Sequence, residues 1–297
     1  MNSKNCFEHQ LFAITTITET TVINDGETYI FQGSGFYYTE MSPADPTKSG
    51  PQFYSLEKYW LVTNRHVVLP KIGNIECIPE KFIFCLRKQD GDTILWEPIT
   101  LSKKELLSKL RLHPQTEIDV ALIDITPYIQ NIIDNIASKK TTNNLMIPTT
   151  LSNINLPENQ PITIDVTSDI IVASYPKGFY DKINKFPIVK SGIVASAWGS
   201  NFNGLPIFQI DAQLFPGSSG GLVISKPTNI AMIDFNLKYS KTKQFVFLGV
   251  YSGEFKWYED VVIAGKKYKM GNSYGLGNVW YSYLIPQIIK NGIRYNS

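Results

Sequence analysis

Cysteine is scarce: Cys6, Cys77 and Cys85 are an odd number without the close spacing of metal ligands. This excludes a zinc site of paired thiolates and a disulfide framework. It points to reduced, buried thiols, with a Cys77–Cys85 disulfide as the minor alternative. Charge of one sign is equally scarce, with a net +2 over 297 residues, so no nucleic acid or anionic membrane is called for as a partner. No apolar run approaches the ~18 residues of a membrane span. The start MNSKNCFEHQLFAITTI lacks the basic segment, apolar stretch and small-residue cleavage site of a secretory signal. A soluble, cytoplasmic protein is expected. There is no H-E-x-x-H and no Walker-type loop, so no metal or other cofactor is implied.

Helical periodicity is sparse too. It is confined to SKKELLSKLRL, TPYIQNIIDNIAS and WYSYLIPQIIKNGI, with Pro286 in a first turn. The rest reads as short apolar runs broken by Gly, Pro, Asn and Asp: TYIFQGSGFYYT, KYWLVTNRHVV, KFIFCLR, DVALIDI, PITIDV, IIVASYP, IVKSGIVASAW, IFQIDAQ, GGLVI and FVFLGVYSG. Many short strands at such spacing predict an all-β barrel or sandwich, and 43% apolar residues supply its core. From Ser138 to Gln160 the chain is rich in Thr, Asn and Pro without periodicity. It reads as a crossing connection between two strand sets, each able to close a six-stranded barrel.

The segment QLFPGSSGGLVIS at 213–225 sets four small residues after Pro216-Gly217 and before an apolar strand. Taken alone it is a Ser/Gly turn. If Ser219 is a nucleophile, its hydroxyl needs a base, and the carbonyl it attacks needs N–H donors where negative charge develops. Glycines at 217, 220 and 221 free the backbone to aim the N–H groups of Gly217 and Ser219 into one pocket. Only three histidines compete for the role of base. His66 follows YWLVTN at a strand end, where a rigid scaffold holds a side chain at a cleft. His113 precedes a proline and reads as a turn residue, and His9 lies beside Glu8 near the start. A neutral imidazole needs a carboxylate to hold its ring and stabilise the cation formed in reaction. Asp119, just before VALIDI, meets that need, with Asp124 in the same run as its competitor.

TNRHVV, DVALI and PGSSGG, in that order, resemble the three catalytic blocks of the trypsin-like serine peptidases of chymotrypsin fold. GSGFYY and IDAQLFPGSSGG are most similar to the bacterial HtrA/Deg-like branch, and the resemblance spans roughly residues 10 to 290. It implies an all-β fold of two six-stranded antiparallel β-barrels packed face to face, with a C-terminal helix. The expected parts are 1–140 carrying His66 and Asp119, a connection over 141–160, and 161–297 carrying Ser219 and the helix. The resemblance also implies a serine endopeptidase: Ser219 as nucleophile, His66 as general base then acid, Asp119 as orienting carboxylate, and the N–H groups of Gly217 and Ser219 as oxyanion hole. Gln213, six residues before the nucleophile, would lie at the base of the primary pocket, where it carries no charge for Lys or Arg. The strand Val250-Tyr251-Ser252-Gly253 would offer backbone hydrogen bonds to an extended substrate, with Tyr251 and Ser252 as wall residues. The Ser218 that precedes the nucleophile is Asp in digestive trypsins, and cleavage activation is not expected. The chain runs about 78 residues past Ser219, room for a barrel and helix but not a PDZ domain. The expected partners are a protein or peptide substrate and a regulatory protein that restrains cleavage. The alternative reading is a latent or inactive double barrel that binds peptides or serves as a scaffold; hydrolysis of small esters is a third.

Overall fold

The computed structural model describes residues 7–42, 55–91, 93–138, 144–177, 179–233, 236–263 and 266–295. Cys6, and residues 139–143 of the expected connection, lie outside them. A helix, α1 (Phe7–Ile14), leads into β1 (Thr15–Asn24), β2 (Glu27–Ser42) and β3 (Ser55–Thr63). A single turn, α2 (Arg65–Val68), precedes a small ribbon of β4 (Lys71–Ile72) and β5 (Ile75–Glu76). Then come β6 (Lys81–Asp90), β7 (Thr93–Ser102), α3 (Lys103–Lys109), β8 (Leu110–Leu112), β9 (Ala121–Asp124), α4 (Thr126–Ala137) and β10 (Leu151–Ser152). The second half holds β11 (Asp169–Ser174), β12 (Ile188–Val194), β13 (Ile207–Asp211), β14 (Leu222–Ser225), β15 (Thr228–Ile233), β16 (Asn236–Gln244), β17 (Phe247–Ile263), β18 (Lys266–Tyr281) and α5 (Leu284–Asn291).

The protein is mostly β. The second half closes a six-stranded barrel, β11-β12-β13-β18-β17-β14, with β15 and β16 as a separate hairpin. The first half is an eight-stranded sheet in the order β7-β6-β1-β2-β3-β9-β8, with β10 pairing β2 in parallel. Its strand count exceeds the expected six for two reasons. The residues Leu110-Arg111-Leu112, at the end of the helical pattern, pair with β9 as β8. The crossing connection itself contributes β10, held where the side chain of Asn153 bonds both backbone groups of Met41. PITIDV, expected as a strand, stays outside the sheets, and β11 begins at Asp169. The last helix is present, with Pro286 in its first turn.

The strands with unbroken apolar runs are those buried on both faces. In β3, Tyr59 and Leu61 point into the first half's own core, while Trp60 and Val62 join a second core shared by both halves. In β14, Leu222 and Ile224 face that shared core and Val223 the barrel interior. Leu11 and Ile14 of α1, and Leu284, Ile285 and Ile288 of α5, also belong to it. The shared core fixes the ends of β3, β9 and β14 against one another, and the candidate residues sit at those ends. Cys77 and Cys85 are free thiols, and burial pushes the Cys85 thiol up to about 12.

Candidate active site

β3 stops at Thr63, and the chain turns through buried Asn64 into α2, which carries His66. Asp119 sits between buried Ile118 and Val120, so its backbone is anchored while its carboxylate reaches the cleft. Oδ1 accepts the backbone N–H of His66 at 2.8 Å, and Oδ2 lies 2.6 Å from His66 Nδ1. An ionised carboxylate only accepts, so Nδ1 carries the proton and the lone pair of a neutral ring is left on Nε2. Desolvation in the cleft works against the imidazolium, but the charge of Asp119 and its hydrogen bond outweigh it and raise the His66 pKa above 6.5. The ring is not sealed in, since 44% of the side chain is exposed.

Ser219 sits in the turn between Leu214 and β14. Ser218 N–H donates to the Phe215 carbonyl at 3.0 Å, closing a four-residue turn with Pro216 second and Gly217 third, at φ 92°. Proline then a left-handed glycine is the signature of a type II turn. Lys177 N–H donates to the Pro216 carbonyl at 2.8 Å. Among the described residues every peptide bond is trans. The Gly217 N–H, on the same peptide plane, therefore points away from Lys177. A Cβ on Gly217 would lie 2.4 Å from that Lys177 nitrogen, so a side chain there breaks the anchor.

Ser34, from the GSG of β2, grips the other side of the turn. Its hydroxyl donates to the Gly217 carbonyl and its N–H to the Ser219 carbonyl, both at 2.8 Å. The N–H of Gly220 donates to the Tyr251 carbonyl at 2.8 Å and to Asn64 Oδ1 at 2.5 Å, and that of Gly221 to the Ser218 carbonyl at 2.9 Å. Three of the turn's amides are thus spent. Those of Gly217 and Ser219 have no partner among the described residues, which leaves two donors for a developing negative charge.

Ser252 joins these parts. It is the extra residue of a β-bulge in β17, between Tyr251 and Gly253. Its hydroxyl donates to Asp119 Oδ2 at 2.6 Å, and its carbonyl accepts the Ser219 hydroxyl at 2.8 Å. A bulge re-aims a residue beside a site, and here both polar ends of one serine face the cleft. His66, Asp119, Ser252 and Ser219 form a connected chain of hydrogen bonds. The Ser219 hydroxyl rests on the Ser252 carbonyl and not on His66.

The structure separates the other expected site residues. Gln213 is exposed, because Ala212 and Leu214 on either side of it turn into the barrel core. That is a more open place than the base of a pocket. Val250 pairs with both Leu222 of β14 and Trp280 of β18, and the Tyr251 backbone is spent on Gly220 and Gly221. Both are buried scaffold, a correction to their place as substrate contacts; Ser252 and Gly253 remain at the open edge. Asp124 accepts the N–H of Thr126 where the chain turns from β9 into α4, which accounts for it as a turn residue. His113 accepts the N–H of Gln115 within a turn, and His9 packs edge-on against Phe12. Asn64, fully buried, is a residue the sequence reasoning does not single out. It links the halves, its Nδ2 donating to the Asp119 carbonyl at 2.7 Å while Oδ1 holds Gly220. Its position in TNRHVV, two before the histidine, is the one signal that marks it. No group of His, Cys, Asp and Glu able to hold a metal ion occurs among the described residues.

A family model described as "Trypsin-like peptidase domain" matches residues 33–229, about two-thirds of the chain and a span containing His66, Asp119 and Ser219. No curated protein matches. Among solved structures, the chain resembles catalytically active tobacco etch virus protease complexed with product, at 10% identity over 95% of this chain and 82% of that one, with a TM-score of 0.41. It also resembles a scabies mite inactivated protease paralogue, at 15% identity over 96% of this chain and 99% of that one, with a TM-score of 0.43.

Proposed function

The chain belongs to the family of trypsin-like peptidase domains, and from that premise we propose that it is a serine endopeptidase acting through an acyl-enzyme on Ser219. The observation that carries this reading is the connected chain from His66 through Asp119 and Ser252 to Ser219. Rotation about the Cα–Cβ bond of Ser219 swings its hydroxyl from the Ser252 carbonyl toward Nε2 of His66, between staggered rotamers. His66 takes the hydroxyl proton as Oγ bonds to the scissile carbonyl carbon. The electron pair of the C=O bond moves onto oxygen, which the N–H groups of Gly217 and Ser219 receive. As the C–N bond breaks, the nitrogen takes the proton from Nε2 and the amine leaves. Water then repeats the sequence on the ester and frees Ser219. Asp119 holds the ring, and its charge stabilises the imidazolium.

The motifs TNRHVV and IDAQLFPGSSGG support a place in the HtrA/Deg-like branch, and the free Cys77 and Cys85 thiols support a reducing, cytoplasmic setting. A fluorophosphonate probe followed by intact-mass spectrometry tests the activity. One adduct is expected on the native protein and none on Ser219→Ala. The second reading, a latent double barrel, draws on the Ser219 hydroxyl lying on a carbonyl and not on the base. It predicts no adduct on the native protein.

A further inference from the structure

Arg87 of β6 is 7% exposed, and no carboxylate pairs with it among the described residues. Its Nη1 is buried without a hydrogen-bond partner. A guanidinium taken out of water without an opposite charge is costly, so this residue is a poor device for stability alone. Its other nitrogens are spent on neutral acceptors outside its own strand. Nε donates to the Phe12 carbonyl of α1 at 2.6 Å, and Nη2 donates to the Tyr175 hydroxyl at 3.3 Å and to the Lys185 carbonyl at 3.2 Å. Tyr175 and Lys185 lie near the two ends of the loop that joins β11 to β12, so an arginine of the first half grips a loop of the second. Lys185 stands at φ 62°, a left-handed conformation that a lysine holds only where its surroundings impose it. Tyr175 is fully buried, edge-on to the Trp96 ring of β7 at 5.4 Å.

The gripped loop is the one that aims the Gly217 amide. That amide lies between two carbonyls, of Pro216 and of Gly217, and both are held from the stretch Tyr175-Pro176-Lys177. The Lys177 N–H donates to the Pro216 carbonyl at 2.8 Å. The Tyr175 N–H donates to Ser34 Oγ at 2.8 Å, and that hydroxyl donates on to the Gly217 carbonyl at 2.8 Å. Pro176, between the two, has a fixed φ, so the placing of the Tyr175 side chain carries over to Lys177 with little slack. We infer that Arg87 is a positioning residue for the oxyanion hole, fixing the direction of the Gly217 N–H through Tyr175 and Lys177 while touching neither substrate nor Ser219. This rests on the peptidase reading for the role of that N–H. Donors held in place before charge develops are what make such a hole effective, and an unpaired buried charge is the strain that this preorganisation carries.

The test compares the full chain with Arg87→Met, which keeps the length without charge or donors, and with Arg87→Lys, which restores one charged donor. The first readout is the rate of fluorophosphonate labelling. There Ser219 Oγ bonds to phosphorus, fluoride leaves, His66 takes the proton, and the phosphoryl oxygen needs the same two amides. Arg87→Met is expected to lower the labelling rate at saturating probe by about 10- to 100-fold, with the half-saturating probe concentration changed by less than about 2-fold. Arg87→Lys is expected to recover part of the rate. The second readout, amide hydrogen exchange followed by NMR, needs no activity. Arg87→Met is expected to speed exchange at Lys177 by at least about 10-fold and to leave Ser225, bonded to the Val246 carbonyl at the end of β14, unchanged. Tyr175→Phe, which removes the hydroxyl that Arg87 holds, is expected to move both readouts in the same direction, and it carries the comparison if Arg87→Met does not fold. Unchanged exchange at Lys177, equal acceleration at Lys177 and Ser225, or weaker probe binding with an unchanged limiting rate overturns the inference. Failure of the unmodified protein to label would instead fail the peptidase reading; a selective loss of protection at Lys177 would then leave Arg87 standing as the residue that fixes the Gly217 peptide.

Discussion

At Asp119 both carboxylate oxygens are occupied, by a backbone N–H on one side and by His66 and Ser252 on the other. The ring it orients is a base only when neutral. Because the His66 pKa is raised above 6.5, kcat/KM is expected to fall on the acid side with a midpoint above pH 6.5; a flat profile from pH 8 to 5 contradicts this. Stability runs the other way. The protonated pair stabilises the fold below pH 6.5 and loses that contribution as pH rises through the folded pKa. The Tm of Ser219→Ala is therefore expected to gain more from acidification than that of Ser219→Ala/Asp119→Asn. Asp119→Asn is expected to lower kcat by about 10⁴-fold by fixing the wrong tautomer. Ser252→Ala, which removes one bond to that carboxylate, is expected to cost roughly 10-fold in kcat/KM with the midpoint displaced. His66, Asp119 and Ser219 can be singled out in the sequence as candidates because each chemical need admits few residue types and the chain holds only three histidines. Ser252, Asn64 and Ser34 are not. They work through backbone groups and short hydroxyl or amide arms, and only the fold reveals what those reach.

Among the elements, the turn that carries Ser219 shows how far glycines signal a structure and where the signal stops. PGSSGG announces left-handed backbone, but which amides stay unspent depends on Lys177, Ser34 and Tyr251, distant in sequence. A Cβ at Gly220, φ 81°, would stand 2.0 Å from the Ser34 carbonyl oxygen. Gly220→Ala is expected to destabilise by at least about 2 kcal/mol in urea unfolding, through strain and the lost approach of β2. An unchanged midpoint would show the turn to be looser than described. The helical period in SKKELLSKLRL runs on through Leu110 and Leu112, yet both also fit a strand facing the first core, and pairing with β9 decides between them. The outer parts of β17 and β18, past Gly253 and before Gly275, are hidden for a different reason: among the described residues they pair only with each other, and lysines at 266, 267 and 269 stand among their apolar residues.

For the whole molecule, the site exists only where the two halves meet. Asn64 and Ser34 reach from the first half to the turn that carries Ser219, and Ser252 returns from the second to Asp119. Asn64→Ala leaves Gly220 with one acceptor and frees the Asp119 carbonyl, just ahead of β9. It is expected to cost about 1–3 kcal/mol in stability and to lower kcat more than it changes KM. On the proposed mechanism Ser219 and His66 act as a unit, so Ser219→Ala/His66→Ala is expected to lose scarcely more activity than either single change; additive losses would argue against a shared mechanism. The β character and the barrel of the second half are legible from spacing and turn residues, whereas the eight-stranded pairing of the first half depends on β10, which its own sequence does not announce. The most direct measurement is an experimental structure of the fluorophosphonate adduct. The account predicts a bond from phosphorus to Ser219 Oγ, with the phosphoryl oxygen about 2.7–3.1 Å from the N–H nitrogens of both Gly217 and Ser219. A phosphoryl oxygen directed away from those two amides, or a bond to any other residue, would contradict it.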